Sequence, residues 1–143
     1  MVDVKVEIRP AEAGDVEFAR SAHHAAYRDV VERQFGPWDE AAQDKFFAAD
    51  WDPRTAEIIL ADGSLCGYCI VERRVDDIHA RELVIHPDFQ GQGIGSFLLR
   101  RLQDEARSRS VPVRLGTFHE NRAVKLYARL GFREIGSTGC QQQ

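Results

Sequence analysis

Between an apolar run from Glu82 to His86 and an amphipathic segment that opens with Ser96-Phe97-Leu98-Leu99, the chain reads Gln90-Gly91-Gln92-Gly93-Ile94-Gly95. Alternating glycines at a strand-to-helix junction let backbone N–H groups point into one concavity, where the first-turn donors and the helix dipole favour an anion such as a phosphate. A Walker-type loop is excluded, because no lysine stands before the serine in Gly95-Ser96. A dinucleotide fingerprint fits poorly. Position 96 is serine rather than a third glycine, and Val113 to Thr117, about 20 residues on, offers no acid for a ribose. A glycine turn without a ligand is the bland alternative.

Other side chains able to do chemistry are scattered around this loop. Glu82 precedes the apolar Leu83, Val84 and Ile85, a costly place for an unpaired carboxylate. It is either a partner of Arg81 or Arg74, or a carboxyl whose pKa burial raises toward that of a general base. Cys66 and Cys69 form C-x-x-C within a predicted strand, Leu65 to Val71, and their odd separation sends the side chains to opposite faces. That spacing opposes a shared metal or a redox pair, and no metal is expected. His23, His24, Tyr27, Phe35, Trp38, Phe46 and Phe47 crowd the first two predicted helices, as an aromatic wall or as core, and His79 lies in a later strand.

The elements that must position these residues follow from period and punctuation. Strands are predicted at Val4 to Ile8, Ala56 to Leu60, Leu65 to Val71, Ile78 to His86, Val113 to Thr117 and Phe132 to Ile135. Helices are predicted at Ala11 to Gln34, Trp38 to Ala49, Ile94 to Ser108 and Arg122 to Leu130, with Gly36-Pro37 and Gly131 as breakers. The fold class is therefore α/β (α+β), a mixed, mostly antiparallel sheet flanked by about four helices. With 143 residues, 43% hydrophobic and 29% charged, the chain has the size of one domain spanning 1–143, and the Gly-, Ser- and Gln-rich segment from about 136 reads as a frayed tail. A net charge of -4 gives no basic field for nucleic acid, and Arg100, Arg101, Arg107 and Arg109 read as a solvated helix face. No apolar run approaches the roughly 18 residues of a membrane span. Together with only three cysteines and no signal-like N-terminus, this points to a cytoplasmic protein with no membrane partner.

A third pattern, Q/R-x-x-G-x-G/A, is met by Gln90, Gly93 and Gly95. Together with Glu82, His86-Pro87 and the downstream run Asn121-Arg122-Ala123-Val124-Lys125-Leu126-Tyr127-Ala128-Arg129-Leu130-Gly131-Phe132, it resembles the GNAT superfamily of acyl-CoA-dependent N-acetyltransferases. The specific motifs lie in residues 82 to 132, and the layout from about Ile8 to Ile135 agrees with that family. The resemblance implies that acetyl-CoA is the acyl donor, its pyrophosphate on the amides of Gln90, Gly91, Gln92, Gly93, Ile94, Gly95 and Ser96. Its pantetheine arm would run beside the backbone of Leu83, Val84 and Ile85, and Asn121 would bond that arm, cap a helix, or do both.

By the same resemblance Glu82 is the base, directly or through water, and Tyr127 the acid that returns a proton to the thiolate, although helical spacing alone makes Tyr127 a core residue. A backbone N–H near Val84 or Ile85 would polarise the thioester, and a small-molecule or peptide amine would attack directly in a ternary complex. A non-catalytic acyl-CoA sensor on the same fold is the alternative. The family's usual final strand is expected to be missing or very short, leaving an edge beside Ile135 that a homodimer would cover.

Overall fold

Apolar residues at alternate positions make β1 (Val6–Pro10), β2 (Ala56–Ala61), β3 (Ser64–Arg73) and β4 (Ile78–Ile85), hydrogen-bonded in that order. A computed structural model describes residues 4–116, 127–134 and 139–142 of the chain. Contacts divide these into two units: one holds the described residues up to Ile70 with Leu83–Ile94, the other Val71–Glu82 and the described residues from Gly95 onward.

In the first unit β1 runs antiparallel to β2, from Val6 opposite Ala61 to Pro10 opposite Glu57. The strand reaches Pro10 rather than stopping before it, because an edge strand tolerates a residue without an N–H. β2 and β3 form a hairpin through Asp62-Gly63, whose φ angles of 50° and 83° give the mirror-image turn that matches strand twist. Arg9 donates to both Asp15 carboxylate oxygens at 2.7 and 3.0 Å, and Asp15 also accepts from the Glu12 backbone N–H. That guanidinium holds the Asp15 carboxyl below the usual range, and it fixes the entry to α1 (Val16–Phe35). Gly36, at φ 96°, ends α1; Asp39 then caps α2 (Glu40–Asp50) by accepting from the Ala42 N–H.

The core of this unit joins Ala19 and Ala22 of α1, Phe47 of α2, Ala56, Ile58, Tyr68 and Ile70 of the hairpin, and Val84 of β4. Alanines let α1 approach the strands closely, and Phe47 fills the space they leave, contributing about 1.5–3 kcal/mol by burial. Phe35 and Phe46 are not core: they remain 68% and 64% exposed. Gly67 marks a close backbone approach, since a Cβ there would overlap the Val84 carbonyl oxygen and lie 3.1 Å from the Ile85 Cα.

In the second unit β4 pairs in parallel with β5 (Val113–Gly116), Ile78 opposite Val113 and Ala80 opposite Leu115. Parallel neighbours need a crossover, here α3 (Ile94–Arg109), which buries Leu98, Leu99, Gln103 and Ala106. Gln103 Nε2 donates to the Leu130 carbonyl at 2.9 Å. Asp77, only 2% exposed, accepts two bonds of 2.7 Å from Arg74 and faces Arg114 at 3.4 Å, so its buried charge is paired. The predicted helix at Arg122 to Leu130 begins outside the described residues; 127–129 are helical.

Within the segment expected to be a frayed tail from about 136, the described residues 139–142 form a strand. β7 (Gly139–Gln142) pairs antiparallel with β5, Gly139 opposite Gly116 and Gln142 opposite Val113, and β6 (Arg133–Glu134) pairs with β7. A strand formed by Gly-Cys-Gln-Gln has no apolar alternation to announce it; backbone hydrogen bonds to an otherwise unpaired β5 edge hold it. The final strand is present though short, and it lies between β5 and β6, so that β6 stands at the end of the sheet. Gly67→Ala is expected to lower unfolding free energy by about 1–3 kcal/mol in urea titration, whereas Gly14→Ala, whose Cβ would meet nothing within 4 Å, should leave it unchanged.

Candidate functional site

The end of β4 and the start of α3 are tied into one short connection. The His86 N–H donates to the Cys66 carbonyl at 2.8 Å, and the Asp88 N–H donates to His86 Nδ1 at 3.1 Å, shaping a 3-10 turn at Pro87–Phe89. Gln90 Nε2 reaches back to the Ile85 carbonyl at 2.9 Å, so this glutamine closes the loop onto its own strand. Gly91 and Gly93 both stand at φ 81°, a left-handed conformation that side chains oppose. A Cβ on Gly91 would meet nothing within 4 Å, so glycine is needed there for its backbone angle and not for space. Gly91, Gln92 and Gly93 are exposed while Ile94 is 1% exposed, so the helix start is pinned by an apolar anchor with its loop open to water. Exposed glycine backbone leading into a three-turn or longer helix fits a pyrophosphate: its charge suits the dipole and its oxygens suit first-turn amides.

The remaining sequence-predicted residues fall into both units. Leu83 and Ile85 are half-buried and Val84 is core in the first unit. Glu82 is half-buried in the second unit, as are Gly95 and Ser96. Tyr127 is 6% exposed, its ring 6.0 Å from that of Phe132, and its carbonyl accepts from the Leu130 and Phe132 N–H groups. Asn121 lies outside the described residues. Cys66 and Cys69 are free thiols buried in β3, and burial pushes the Cys66 thiol up to about 11, far from a ready thiolate. His79 Nδ1 lies 3.3 Å from Glu72, which also faces Arg81 at 3.7 Å.

A second constellation in the first unit was only half visible in the sequence. Arg20 of α1 donates to Asp44 at 2.7 Å and to Glu40 at 3.0 Å, both on α2, and to Glu17 at 3.0 Å. His24 Nε2 lies 2.7 Å from the same Asp44 oxygen, and His24 Nδ1 lies 2.9 Å from His23 Nδ1. The Trp38 indole donates to Glu40 at 2.8 Å, and its ring lies 5.2 Å from that of His24. His23 packs against Tyr27 at 4.9 Å and Phe47 at 5.7 Å. Arg20, then His24, hold the Asp44 carboxyl below its usual range. Burial, with His24 as a like charge, pushes His23 down to about 4. His24, Glu40 and Asp44 bring ligand atoms within 4.8 Å of one another, as a metal would need, yet the Arg20 guanidinium already bonds both carboxylates. The signal in the sequence was the i,i+4 spacing of Arg20 with His24 and of Glu40 with Asp44.

The family comparison decides what the loop belongs to. A model described as an acetyltransferase (GNAT) domain matches residues 44–134, more than half of the chain. The chain belongs to the GNAT acetyltransferases. Among curated GNAT relatives, the [ribosomal protein bS18]-alanine N-acetyltransferase of Escherichia coli (strain K12) is 30% identical over 113 residues, 77% of this chain and 74% of that one. The crystal structure of the Escherichia coli ribosomal-protein-S18-alanine N-acetyltransferase superposes with a TM-score of 0.66 at 24% identity, over 96% of this chain and 91% of that one. A Thermoplasma acidophilum PaiA N-acetyltransferase in complex with coenzyme A superposes with a TM-score of 0.76 at 15% identity, over 97% and 99% of the two chains. This GNAT chain is an acyl-CoA-dependent N-acetyltransferase with the mixed α/β fold of its family.

One consequence of the His23 environment is testable without substrate. Because the folded state holds His23 low, the unfolded chain takes up a proton at the ordinary histidine pKa near 6.5 that the folded chain refuses until about 4. Stability should therefore fall as pH drops through that window. Urea midpoints for His23→Gln should show a shallower decline than wild type over the same range, and parallel profiles would contradict the assignment.

Proposed function

We propose that this GNAT enzyme transfers acetyl from acetyl-CoA to the α-amino group of a peptide or protein chain, with an N-terminal alanine as the first acceptor to try. The exposed Gly91–Gly93 loop at the start of α3 carries the donor half of this reading. The relative that acts on ribosomal protein bS18 alanine supports the acceptor half. Bound there, acetyl-CoA supplies an activated acyl group.

The chain's own groups do the rest. Amides of Gln90, Gly91, Gln92, Gly93, Ile94, Gly95 and Ser96 orient the pyrophosphate, the backbone of Leu83, Val84 and Ile85 holds the pantetheine arm, and Asn121 adds a hydrogen bond to it. A backbone N–H at Val84 or Ile85 stabilises the oxygen on which charge develops. Glu82 takes a proton from the attacking nitrogen, directly or through water, and Tyr127 donates one to the departing sulfur. An α-amine has an ordinary pKa near 8 and a thiol near 8.5, so both transfers help near neutral pH. Residues 1–143 act as one catalytic domain. The enzyme is cytoplasmic, uses no metal, and works without nucleic acid or a membrane. Among the described residues no helix is long and apolar enough to cross one.

Tyr127→Phe and Glu82→Gln are each expected to lower kcat by about 100-fold while sparing acetyl-CoA affinity. Free-thiol release on an alanyl peptide reads the first effect and calorimetric titration the second. Wild-type turnover in Tyr127→Phe would remove its role as acid.

A further inference from the structure

Two imidazoles joined through their Nδ1 atoms must share a proton. At 2.9 Å between His23 Nδ1 and His24 Nδ1, one nitrogen donates and the other accepts. At its other end His24 Nε2 stands 2.7 Å from the Asp44 carboxylate and carries a proton where it bonds it. If His24 holds one proton, on Nε2 for Asp44, then its Nδ1 is the acceptor, His23 carries its own proton on Nδ1, and His23 Nε2 is left with a bare lone pair. Among the described residues no hydrogen bond reaches that Nε2, and the His23 side chain is only partly buried. Its ring lies against Tyr27 and Phe47. Both belong to or pack on the core cluster that contains Val84, whose strand backbone is read above as holding the donor.

We propose that His23 Nε2 is the entry of a proton relay, His23 to His24 to the Asp44 and Glu40 carboxylates, that deprotonates an acceptor arriving as an ammonium ion. This rests on the reading of the chain as an enzyme that acetylates an amine. The N–H bond of R–NH3+ breaks as His23 Nε2–H forms, while His23 Nδ1–H breaks as His24 Nδ1–H forms. The positive charge thereby moves from the substrate to His24, where Asp44 at 2.7 Å and Glu40 at 3.6 Å face it. His23 stays neutral throughout, so an environment that resists its protonation does not block the path. After product leaves, water takes the proton from His23 Nε2 and the Nδ1 proton returns. An ammonium must lose two protons on the way to an amide. The relay takes the first. His23 would be catalytic, with His24 and Asp44 as positioning residues.

The charged and titratable groups around the pair are Arg20, which bridges Glu17, Glu40 and Asp44, and Tyr27, which meets His23. None of them changes charge between pH 7 and 9 at its ordinary pKa. With an alanyl peptide, His23→Gln and His24→Gln should each lower kcat/KM by about 100-fold at pH 7. Both deficits should shrink toward zero above about pH 9, where the α-amine is already neutral. A deficit of equal size at both pH values, or none at either, would overturn the relay. If wild type releases no thiol with the alanyl peptide, the proposed acceptor fails. The relay is then judged alone by imidazole 15N spectra of the full chain, with His23→Gln giving the assignment. A neutral His23 protonated on Nδ1 supports it, and one protonated on Nε2 overturns it.

Discussion

The first turn of an α-helix carries backbone N–H groups with no partner inside the helix, and at the start of α3 the fold leaves that turn next to exposed glycine backbone. Much else serves to keep it so. Ile94, Leu98 and Leu99 bury the apolar stripe of α3, which fixes where the helix begins. Gln90 satisfies the last carbonyl of β4 and so stops the strand one residue short of His86, while His86 caps the 3-10 turn that follows. Gly91 and Gly93 then turn the chain through left-handed angles without the cost of roughly 1–2 kcal/mol each that a side chain would incur. An anion bound here meets dipole and donors already in place, so little ordering entropy opposes binding.

Between α1 and α2 the organising charge is Arg20. One guanidinium joins α1 to two carboxylates of α2, and although exposed ion pairs are individually worth little, a shared cation fixes the pair of helices in register. The Asp44 oxygen that accepts from Arg20 also stands 2.7 Å from His24 Nε2, which ties the imidazole into the same group. The same cation already bonds both carboxylates of the His24, Glu40 and Asp44 group. Trp38, bonded to Glu40 and edge-on to His24, closes the group from the connection between the helices.

The features legible in the sequence were those written in periodic burial or special backbone angles. Ala19, Ala22 and Val30 spaced along α1, Asp62-Gly63 between two apolar strands, and Gly36 after α1 each state a local preference that tertiary packing keeps. Two features were not legible. β7 exists because β5 offers unpaired backbone, a fact about the partner strand and not about Gly139-Cys140-Gln141-Gln142. Phe35 and Phe46 are as apolar as Phe47, yet only the helix rotation set by Ala19, Ala22 and Phe47 decides which of them turns inward. For the site, the glycine loop stood out because its residue types have few other uses. The Asp44–His24 contact did not, because its members lie on two helices and only the packing of α1 on α2 brings them to 2.7 Å.

Val84 shows why one residue can answer two questions. Its side chain packs in the core, while its backbone carbonyl is the atom that a Cβ at Gly67 would meet. The central claim is that the Gln90–Ser96 connection holds the donor through its pyrophosphate. Calorimetric titration of the full chain with acetyl-CoA and with acetyl-pantetheine, which lacks the pyrophosphate, tests it most directly. Acetyl-CoA should bind at least about 100-fold tighter, the equivalent of a few charge-assisted hydrogen bonds. Equal affinities would contradict the account.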